Sequence, residues 1–254
     1  MSSIDFAVIG GTGLYQLAQL TDITPHLVDT PYGAPSDAIL AGRLEGRGGD
    51  GGDSQVLFLA RHGARHTVPP HRVNYRANLW ALRQLGARRI VAINAVGGIT
   101  PAMAPRVLAL PDDLIDYTWG RAHTFHDGGG DSPVEHVDLG QPYDPDLRRA
   151  LLDAAAATGV ALVDGGVYGA TQGPRLETPA EIRRLARDGC DLVGMTGMPE
   201  ASLARELGLA YASIAVVANW AAGCGDQSEI TLAEVLDNVA AASAQLPTLL
   251  RQLS

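Results

Sequence analysis

Short apolar segments alternate with longer segments of helical periodicity along this chain. Four apolar segments are rich in Val, Ile and Ala and end in small or polar residues; they are DFAVIGG, QVLFLARHG, RRIVAINAVGG and AYASIAVVANW. Segments of this length and composition predict buried strands of a parallel or mixed sheet. Helical periodicity covers roughly residues 74–85, 146–158, 179–188, 199–207 and 231–253.

Local signals mark the ends of the predicted helices. Pro179 and Pro199 stand near two helix starts, and Thr231 with Glu234 has the spacing of a capping box. A glycine follows four helix ends: Gly86, Gly159, Gly189 and Gly208. Because strands and helices alternate, we predict an α/β fold: a three-layer single domain of residues 1–254 with a central mixed β-sheet flanked by helices. Ligand-binding groups are then expected at the carboxyl ends of strands.

Composition and charge narrow the classes of function. With 254 residues, of which 46% are hydrophobic, the chain can bury one large core, and the glycine-rich segments 46–54 and 127–132 are predicted loops. The formal net charge of -9 disfavours binding to nucleic acid. All 19 basic residues are arginine, which excludes a lysine Schiff base. Since neither a signal peptide nor a long apolar span is present, we expect a soluble, cytoplasmic protein with Cys190 and Cys224 as reduced thiols.

A glycine-rich turn follows the first predicted strand. Gly10, Gly11, Thr12 and Gly13 offer backbone N–H groups and a hydroxyl, which are the parts of an anion-binding nest. A plain tight turn is the alternative. A dinucleotide-binding fingerprint is disfavoured, because Gln16 stands where its third glycine is required.

A basic cluster follows the second of these strands. Arg61, His62, Arg65 and His66 have no acidic residue near them in the sequence, so their positive charge predicts a second wall of the anion site. A solvated basic turn is the alternative. A metal site on the two histidines would need a helix, which Gly63 and the prolines that follow disfavour.

Two further clusters lie at predicted strand ends. GMTGMPE follows the strand-like DLV and supplies Met195, Thr196 and Glu200, although a methionine in such a place is often a core residue. Asn219 ends the most apolar strand, where its amide either caps the next segment or binds a ligand through its oxygen and nitrogen.

In order and separation, these clusters resemble the trimeric purine nucleoside phosphorylase and methylthioadenosine phosphorylase family. The fragments that carry the resemblance are GGTG, VDTPYGAPSDAI, ARHGARHTVPP, VNYRANLWAL, GPRLETPAE, GMTGMPEASLARELGLAYASIA and Asn219, and the match runs from Ile9 to about Leu236. The resemblance implies a nucleoside phosphorylase-like fold and a homotrimer with shared active sites. It also implies inorganic phosphate as co-substrate, with no metal or organic cofactor.

Carried over residue by residue, the resemblance implies a phosphate site and a nucleoside site. The phosphate-binding positions are Thr12, Arg61, His62, Asn94, Ala95 and Thr196. Met195 is expected under the ribose, and His136 at the 5′ end of the sugar in a neighbouring subunit. The expected catalytic residues are Asn219, at N7 of the leaving purine, and His66, near phosphate and sugar.

The base end and the sugar end of the nucleoside site indicate different relatives. Methylthioadenosine enzymes resemble one another in carrying aspartate at the positions of Asn219 and Ala221, whereas 6-oxopurine enzymes carry asparagine at the first and glutamate at the position of Glu177. At the sugar end, Leu232 stands where inosine enzymes have a histidine, and its apolar wall suits a methylthio group. We therefore expect phosphorolysis of 5′-methylthioinosine in purine salvage, with methylthioadenosine, or inosine and guanosine, as alternatives.

Two functions of other classes remain open. A nucleosidase would use water in place of phosphate, and a silent nucleoside-binding protein would keep the base pocket without turnover. The set of Thr12, Arg61, His62 and Thr196 argues against both. Phosphate dependence of base release tests the first alternative, and turnover tests the second.

Overall fold

The structure is a computed structural model that describes residues 4–15, 17, 19–46, 52–128, 135–226 and 229–253. Most of the two predicted glycine-rich loops, and Gln16, lie outside the described residues. Within these described residues, eleven strands form one sheet: β1 Phe6–Gly10, β2 Leu20–His26, β3 Ile39–Leu44, β4 Ser54–Ala60, β5 Arg89–Gly98, β6 Leu108–Leu110, β7 Asp113–Asp116, β8 Leu162–Asp164, β9 Val167–Ala170, β10 Leu192–Gly194 and β11 Ala210–Trp220. The four strands predicted from the apolar segments are β1, β4, β5 and β11.

The sheet is mixed, as predicted. Its strand order is β2-β3-β4-β1-β5-β10-β9-β7, while β11 pairs with β5 and β6, and β6 also pairs with β8. The central strands β4, β1, β5 and β11 are mutually parallel and buried, which agrees with their almost continuous apolar sequences. The outer strands β2 and β3 pair antiparallel, and β2 exposes most of its residues.

Helices cover both faces of this sheet. They are α1 Tyr75–Gln84, α2 Pro145–Thr158, α3 Pro179–Arg187, α4 Gly197–Glu206, α5 Leu232–Ser243 and α6 Leu246–Leu250, with a short 3-10 helix at Pro70–Arg72. One core joins α1 and α4 to the sheet through residues such as Leu79 and Leu203, and a second joins α2, α5 and α6 through residues such as Leu151, Val239 and Leu249. This arrangement confirms the predicted three layers.

The prediction of one helix over residues 231–253 was wrong. The helix ends at Ser243 and a separate short helix begins at Leu246. Pro247 explains the break, because it lacks the N–H that would bond the carbonyl of Ser243 in a continuous helix. In α4, Met198 and Pro199 have non-helical backbone angles, so the regular turns begin after Pro199, near the predicted start.

Two features of the sheet bring the site residues together. First, β10 runs antiparallel to β5 and pairs with its last two residues, Gly97 and Gly98. The segment after β10 therefore lies beside the middle of β5. The sequence led us to expect ligand-binding groups only at the carboxyl ends of parallel strands. Second, the register of β11 against β5 shifts between Val217 and Asn219, which is a bulge at Ala218. A bulge redirects the side chains that follow it.

No helix in the described ranges has both the length and the apolar character needed to span a bilayer.

Candidate functional site

A cavity of about 650 Å³ opens where β1, β4, β5, β10 and β11 end or pass one another. It is large enough for a nucleoside and a small anion. Most of the predicted site residues line it; they are Thr12, Arg61, His62, His66, Ala95, Glu177, Met195, Thr196, Asn219, Ala221 and Leu232.

The turn after β1 forms one wall of the cavity through Gly11 and Thr12. A side chain at Gly11 would place its Cβ 2.5 Å from the carbonyl oxygen of Ile93 and 3.1 Å from Nη1 of Arg61, so only glycine lets this turn approach the buried arginine. Gly13 has a φ of +81°, which completes the tight turn. The turn thus brings its backbone N–H groups and the Thr12 hydroxyl close to Arg61.

Arg61 is fully buried and is paired with a carboxylate, which corrects the expectation of an unneutralised basic cluster. Its Nε and Nη2 each donate to Glu200 at 2.8 Å, and Nη1 donates to the carbonyl of Ile93. Tyr211 also donates to Glu200. Burial alone would lower the pKa of Arg61, but the charge of Glu200 and the hydrogen bonds to it outweigh this and raise the pKa. Arg61 therefore brings donors to the cavity as half of an ion pair, with part of its five N–H groups already used.

His62 lines the cavity as a neutral ring. Burial first, and then the nearby charge of Arg61, lower the pKa of His62 to about 4. Its Nδ1 lies 2.8 Å from the carbonyl oxygen of Val68, which can only accept, so Nδ1 carries the proton and Nε2 has a free lone pair. His66 packs 5.0 Å from His62 between ring centroids, and burial lowers its pKa as well.

Asn94 is not among the residues that line the cavity, and its assignment to the phosphate site stays a prediction. It is buried behind Thr196, and its Nδ2 donates to Thr196 Oγ1 at 2.7 Å. Ser213 donates to Asn94 Oδ1 at 2.8 Å. Because the Thr196 hydroxyl oxygen accepts from Asn94, its own hydrogen stays available to the cavity. Asn94 therefore orients the donor of Thr196.

The bulge in β11 positions Asn219 at the cavity. Asn238 donates to the carbonyl of Ala218, which satisfies the backbone group that the bulge frees. Asn219 Nδ2 donates to the carbonyl oxygen of Trp220 at 2.7 Å. This bond fixes the orientation of the amide, because turning it over would set Oδ1 against another acceptor. One N–H and Oδ1 of Asn219 remain for a ligand.

Glu177 also has one committed oxygen and one free oxygen. The hydroxyl of Thr171 donates to Glu177 Oε1 at 2.6 Å, while the side chain lines the same cavity as Asn219. The free Oε2 is an acceptor. Asn219 and Glu177 therefore present a donor and acceptors to a flat polar ligand.

The remaining lining residues are mainly apolar. Met195 packs against Gly173, where an added Cβ would lie 2.4 Å from its sulfur. Ala221 is buried beside Gly97. Leu232, at the first position of α5, is 69% exposed and lies at the rim of the cavity.

His136 is exposed and does not line the cavity. Its contribution to the sugar site of a neighbouring subunit stays a prediction. Among the described residues, no group of three His, Cys, Asp or Glu side chains is placed to hold a metal ion.

The sequence reasoning missed the partners of the site residues. Glu200 was seen only as part of a motif, and Ser213 and Thr171 were not singled out. The signal for Glu200 was present, since an arginine directly after a buried strand needs a carboxylate if it stays inside. No local pattern marks the other two, because each meets its partner through the fold.

Comparison with known proteins agrees with this geometry. The sequence profile of the phosphorylase superfamily matches residues 5–254. The chain belongs to the phosphorylase superfamily. It is 63% identical to a probable S-methyl-5′-thioinosine phosphorylase of Xanthomonas campestris pv. campestris, over 100% of this chain and 98% of that relative. It is 44% identical to a 6-oxopurine nucleoside phosphorylase of Pyrococcus furiosus, over 91% of this chain and 84% of the relative.

A solved structure in the superfamily has a closely similar backbone. A methylthioadenosine phosphorylase from Schistosoma mansoni, in complex with adenine, superimposes with a TM-score of 0.91 at 31% sequence identity. The superposition covers 99% of this chain and 91% of the other. The expected nucleoside phosphorylase-like fold is therefore confirmed.

The buried ion pair predicts a strongly non-additive response to mutation. Arg61→Ala or Glu200→Ala alone leaves one buried charge without a partner and should lower the free energy of unfolding by about 3–5 kcal/mol. The loss of free energy of unfolding in the double variant should be well below the sum of the two single losses. Urea unfolding followed by circular dichroism measures all three. Arg175→Ala, which breaks the exposed pair with Glu181, is the control and should change the free energy of unfolding little, because solvent screens an exposed pair. Additive losses at Arg61 and Glu200 would contradict the pairing.

The neutral His62 predicts a loss of stability in mild acid. Its folded pKa of about 4 lies below the ordinary 6.5, so between these values the unfolded chain binds the proton first and stability falls as the pH falls. From about pH 7.5 to about pH 5 this ring should contribute a loss of roughly 2 kcal/mol. His62→Asn keeps an N–H for Val68 and should remove that part of the slope in urea unfolding. An unchanged slope would show that the pKa of His62 in the folded protein is not lowered from its value in the unfolded chain. Between pH 7.5 and pH 9, where neither state protonates the ring, the two proteins should respond alike.

Proposed function

We propose that this protein splits 5′-methylthioinosine with inorganic phosphate, yielding hypoxanthine and 5-methylthioribose 1-phosphate. The single observation that carries the choice of base is the amide of Asn219, held by the carbonyl of Trp220 with one N–H and Oδ1 left for the ligand. The names of the relatives, a probable S-methyl-5′-thioinosine phosphorylase and a 6-oxopurine nucleoside phosphorylase, support the same choice.

The base is recognised by matching donors and acceptors. A 6-oxopurine offers an acceptor at O6 and a donor at N1, while adenine offers a donor at N6 and an acceptor at N1. Asn219 donates its free N–H to O6, and the free oxygen of Glu177 accepts from N1–H. Adenine would require Asn219 to turn over and lose its bond to Trp220, and would set its N1 lone pair against Glu177.

The reaction replaces the C1′–N9 bond with a bond from C1′ to phosphate and adds one proton to the base. An oxygen of phosphate bonds to C1′ as the C1′–N9 bond breaks, and the electron pair of that bond passes into the purine. The sugar becomes oxocarbenium-like on the way, and the bound phosphate anion stabilises this charge. The leaving base takes a proton from solvent water at N7, and Oδ1 of Asn219 accepts a hydrogen bond from the new N–H.

Phosphate is held largely by neutral donors. Thr12, the Thr196 hydroxyl oriented by Asn94, and the backbone at Ala95 surround the anion, with Arg61 offering its remaining N–H groups. The lone pair on Nε2 of His62 can accept the hydrogen of a protonated phosphate oxygen. His66 lies between this group and the sugar.

The sugar end favours an apolar 5′ substituent. Ile230, Leu232 and Val235 line the cavity from the start of α5, and Met195 lies below the expected ribose position. A hydroxyl against such a wall loses water contacts, at roughly 1–3 kcal/mol, whereas a methylthio group does not. We further propose one cytoplasmic domain that assembles as a homotrimer, in which His136 completes the sugar site of a neighbour, without a metal or organic cofactor.

The proposal predicts a clear preference for the base. With phosphate in excess, kcat/KM for 5′-methylthioinosine should exceed that for methylthioadenosine by at least about tenfold, because a mismatched base leaves buried partners unpaired. Values of kcat/KM for inosine and guanosine, measured in parallel, should be lower than for 5′-methylthioinosine, because their 5′-hydroxyl faces the apolar wall at the sugar end. Asn219→Asp should reduce 5′-methylthioinosine cleavage and shift the ratio towards methylthioadenosine.

Asn78→Asp is the matched control for this experiment. Asn78 is also a buried asparagine, bonded to Ser36, but it lies in α1 and does not line the cavity. It should leave the ratio of the two substrates unchanged. Equal cleavage of methylthioadenosine and 5′-methylthioinosine by the unmodified enzyme would overturn the roles given to Asn219 and Glu177.

A further inference from the structure

Arg121 is a buried cation that the proposed reaction does not use. The residue is 8% exposed and does not line the cavity. In the described part of the chain no carboxylate forms an ion pair with it, in contrast to Arg61. A buried guanidinium keeps its charge and must satisfy it with hydrogen bonds. Where those bonds go is therefore informative.

One side of the guanidinium holds the loop that carries Glu177. Nη2 of Arg121 donates to the backbone carbonyls of Thr171 and Gln172, at 3.2 and 2.9 Å, and Nε donates to the side-chain oxygen of Gln172. Thr171 in turn donates its hydroxyl to Glu177. Arg121 thus fixes the backbone from which the base-binding carboxylate is oriented. We call residues 171–177 the base loop.

The other side holds the segment that carries Thr196. Nη1 of Arg121 donates to the backbone carbonyls of Met195 and Met198, at 2.9 and 2.6 Å. It also lies 3.2 Å from the hydroxyl of Tyr75, over whose ring the guanidinium packs. Thr196, between the two methionines, donates to the phosphate position. We call residues 195–198 the phosphate segment.

We propose that Arg121 is a positioning residue that ties the base loop to the phosphate segment, so that the two halves of the site keep one relative geometry. The inference rests on the proposed function for what the two halves bind. Its physical basis is the planar fork of the guanidinium, which donates in two directions at once. Lysine carries the same charge on one nitrogen and cannot span both segments.

The first test compares Arg121→Lys with Arg148→Lys. Arg148 is a suitable control, because it also donates to backbone carbonyls, those of Leu110 and Pro111, although it additionally pairs with Asp164; none of these residues lines the cavity. Arg121→Lys should lower kcat/KM for 5′-methylthioinosine by at least about tenfold, raise KM for phosphate and narrow the preference over methylthioadenosine. Arg148→Lys should lower the melting temperature without moving these kinetic ratios.

Kinetic results can overturn the proposal in two ways. If Arg121→Lys loses stability but keeps wild-type KM values and base preference, Arg121 is only structural. If Arg121→Lys keeps full activity while Arg121→Gln loses it, the positive charge at this position is required and the planar guanidinium is not.

The second test does not depend on the reaction. Hydrogen exchange of backbone amides should become faster in both the base loop and the phosphate segment of Arg121→Lys, relative to wild type and to Arg148→Lys. Unchanged exchange rates in both segments would contradict the proposal that Arg121 holds the base loop and the phosphate segment together. A wild-type protein that fails to cleave 5′-methylthioinosine would contradict the proposed function alone, while the exchange experiment would still decide the role of Arg121.

Discussion

The parallel pairing of β5 with β11 is the constraint on which the rest of the site depends. It places Asn94 and Asn219 on neighbouring strands, and the bulge at Ala218 directs Asn219 into the cavity. Because β5 continues to Gly98, β10 pairs antiparallel with its end, so that Thr196 comes back beside Asn94. The side chains of Thr196 and Asn219 are thus held by neighbouring elements of one sheet, and regular elements maintain a precise geometry more easily than loops do.

Charge in this site is more balanced than its arginines and histidines imply. Arg61 is neutralised by Glu200, and His62 is kept uncharged by burial and by the charge of Arg61. An anion would therefore meet oriented hydroxyls, backbone and the free donors of an ion pair, with little excess positive charge. Such a site can hold phosphate next to a developing sugar cation without competing strongly for the anion's charge, since preorganised dipoles need no rearrangement during the reaction.

The sequence predicted what depends on local pattern. The central strands, four of the five predicted helices and the start of the fifth follow from periodicity. The glycines after the helix ends follow from turn chemistry, and the cluster at the strand ends follows from periodicity and resemblance. It did not predict contacts that only the fold creates: Glu200 under Arg61, Ser213 behind Asn94, and Arg121 between two loops. The same limit applies to Asn94, because its position along β5 does not reveal that its amide donates to Thr196. The prediction of one helix over residues 231–253 was wrong because it gave the apolar periodicity precedence over the helix-breaking Pro247.

In the proposed reaction, phosphate held in this cavity is the nucleophile that displaces the base. This is tested by single-turnover cleavage of 5′-methylthioinosine in water labelled with oxygen-18, with and without phosphate, followed by mass spectrometry of the sugar product. We expect base release only with phosphate, and a sugar 1-phosphate whose C1′ oxygen carries no label. Free 5-methylthioribose with oxygen-18 at C1′, formed at a comparable rate without phosphate, would contradict it.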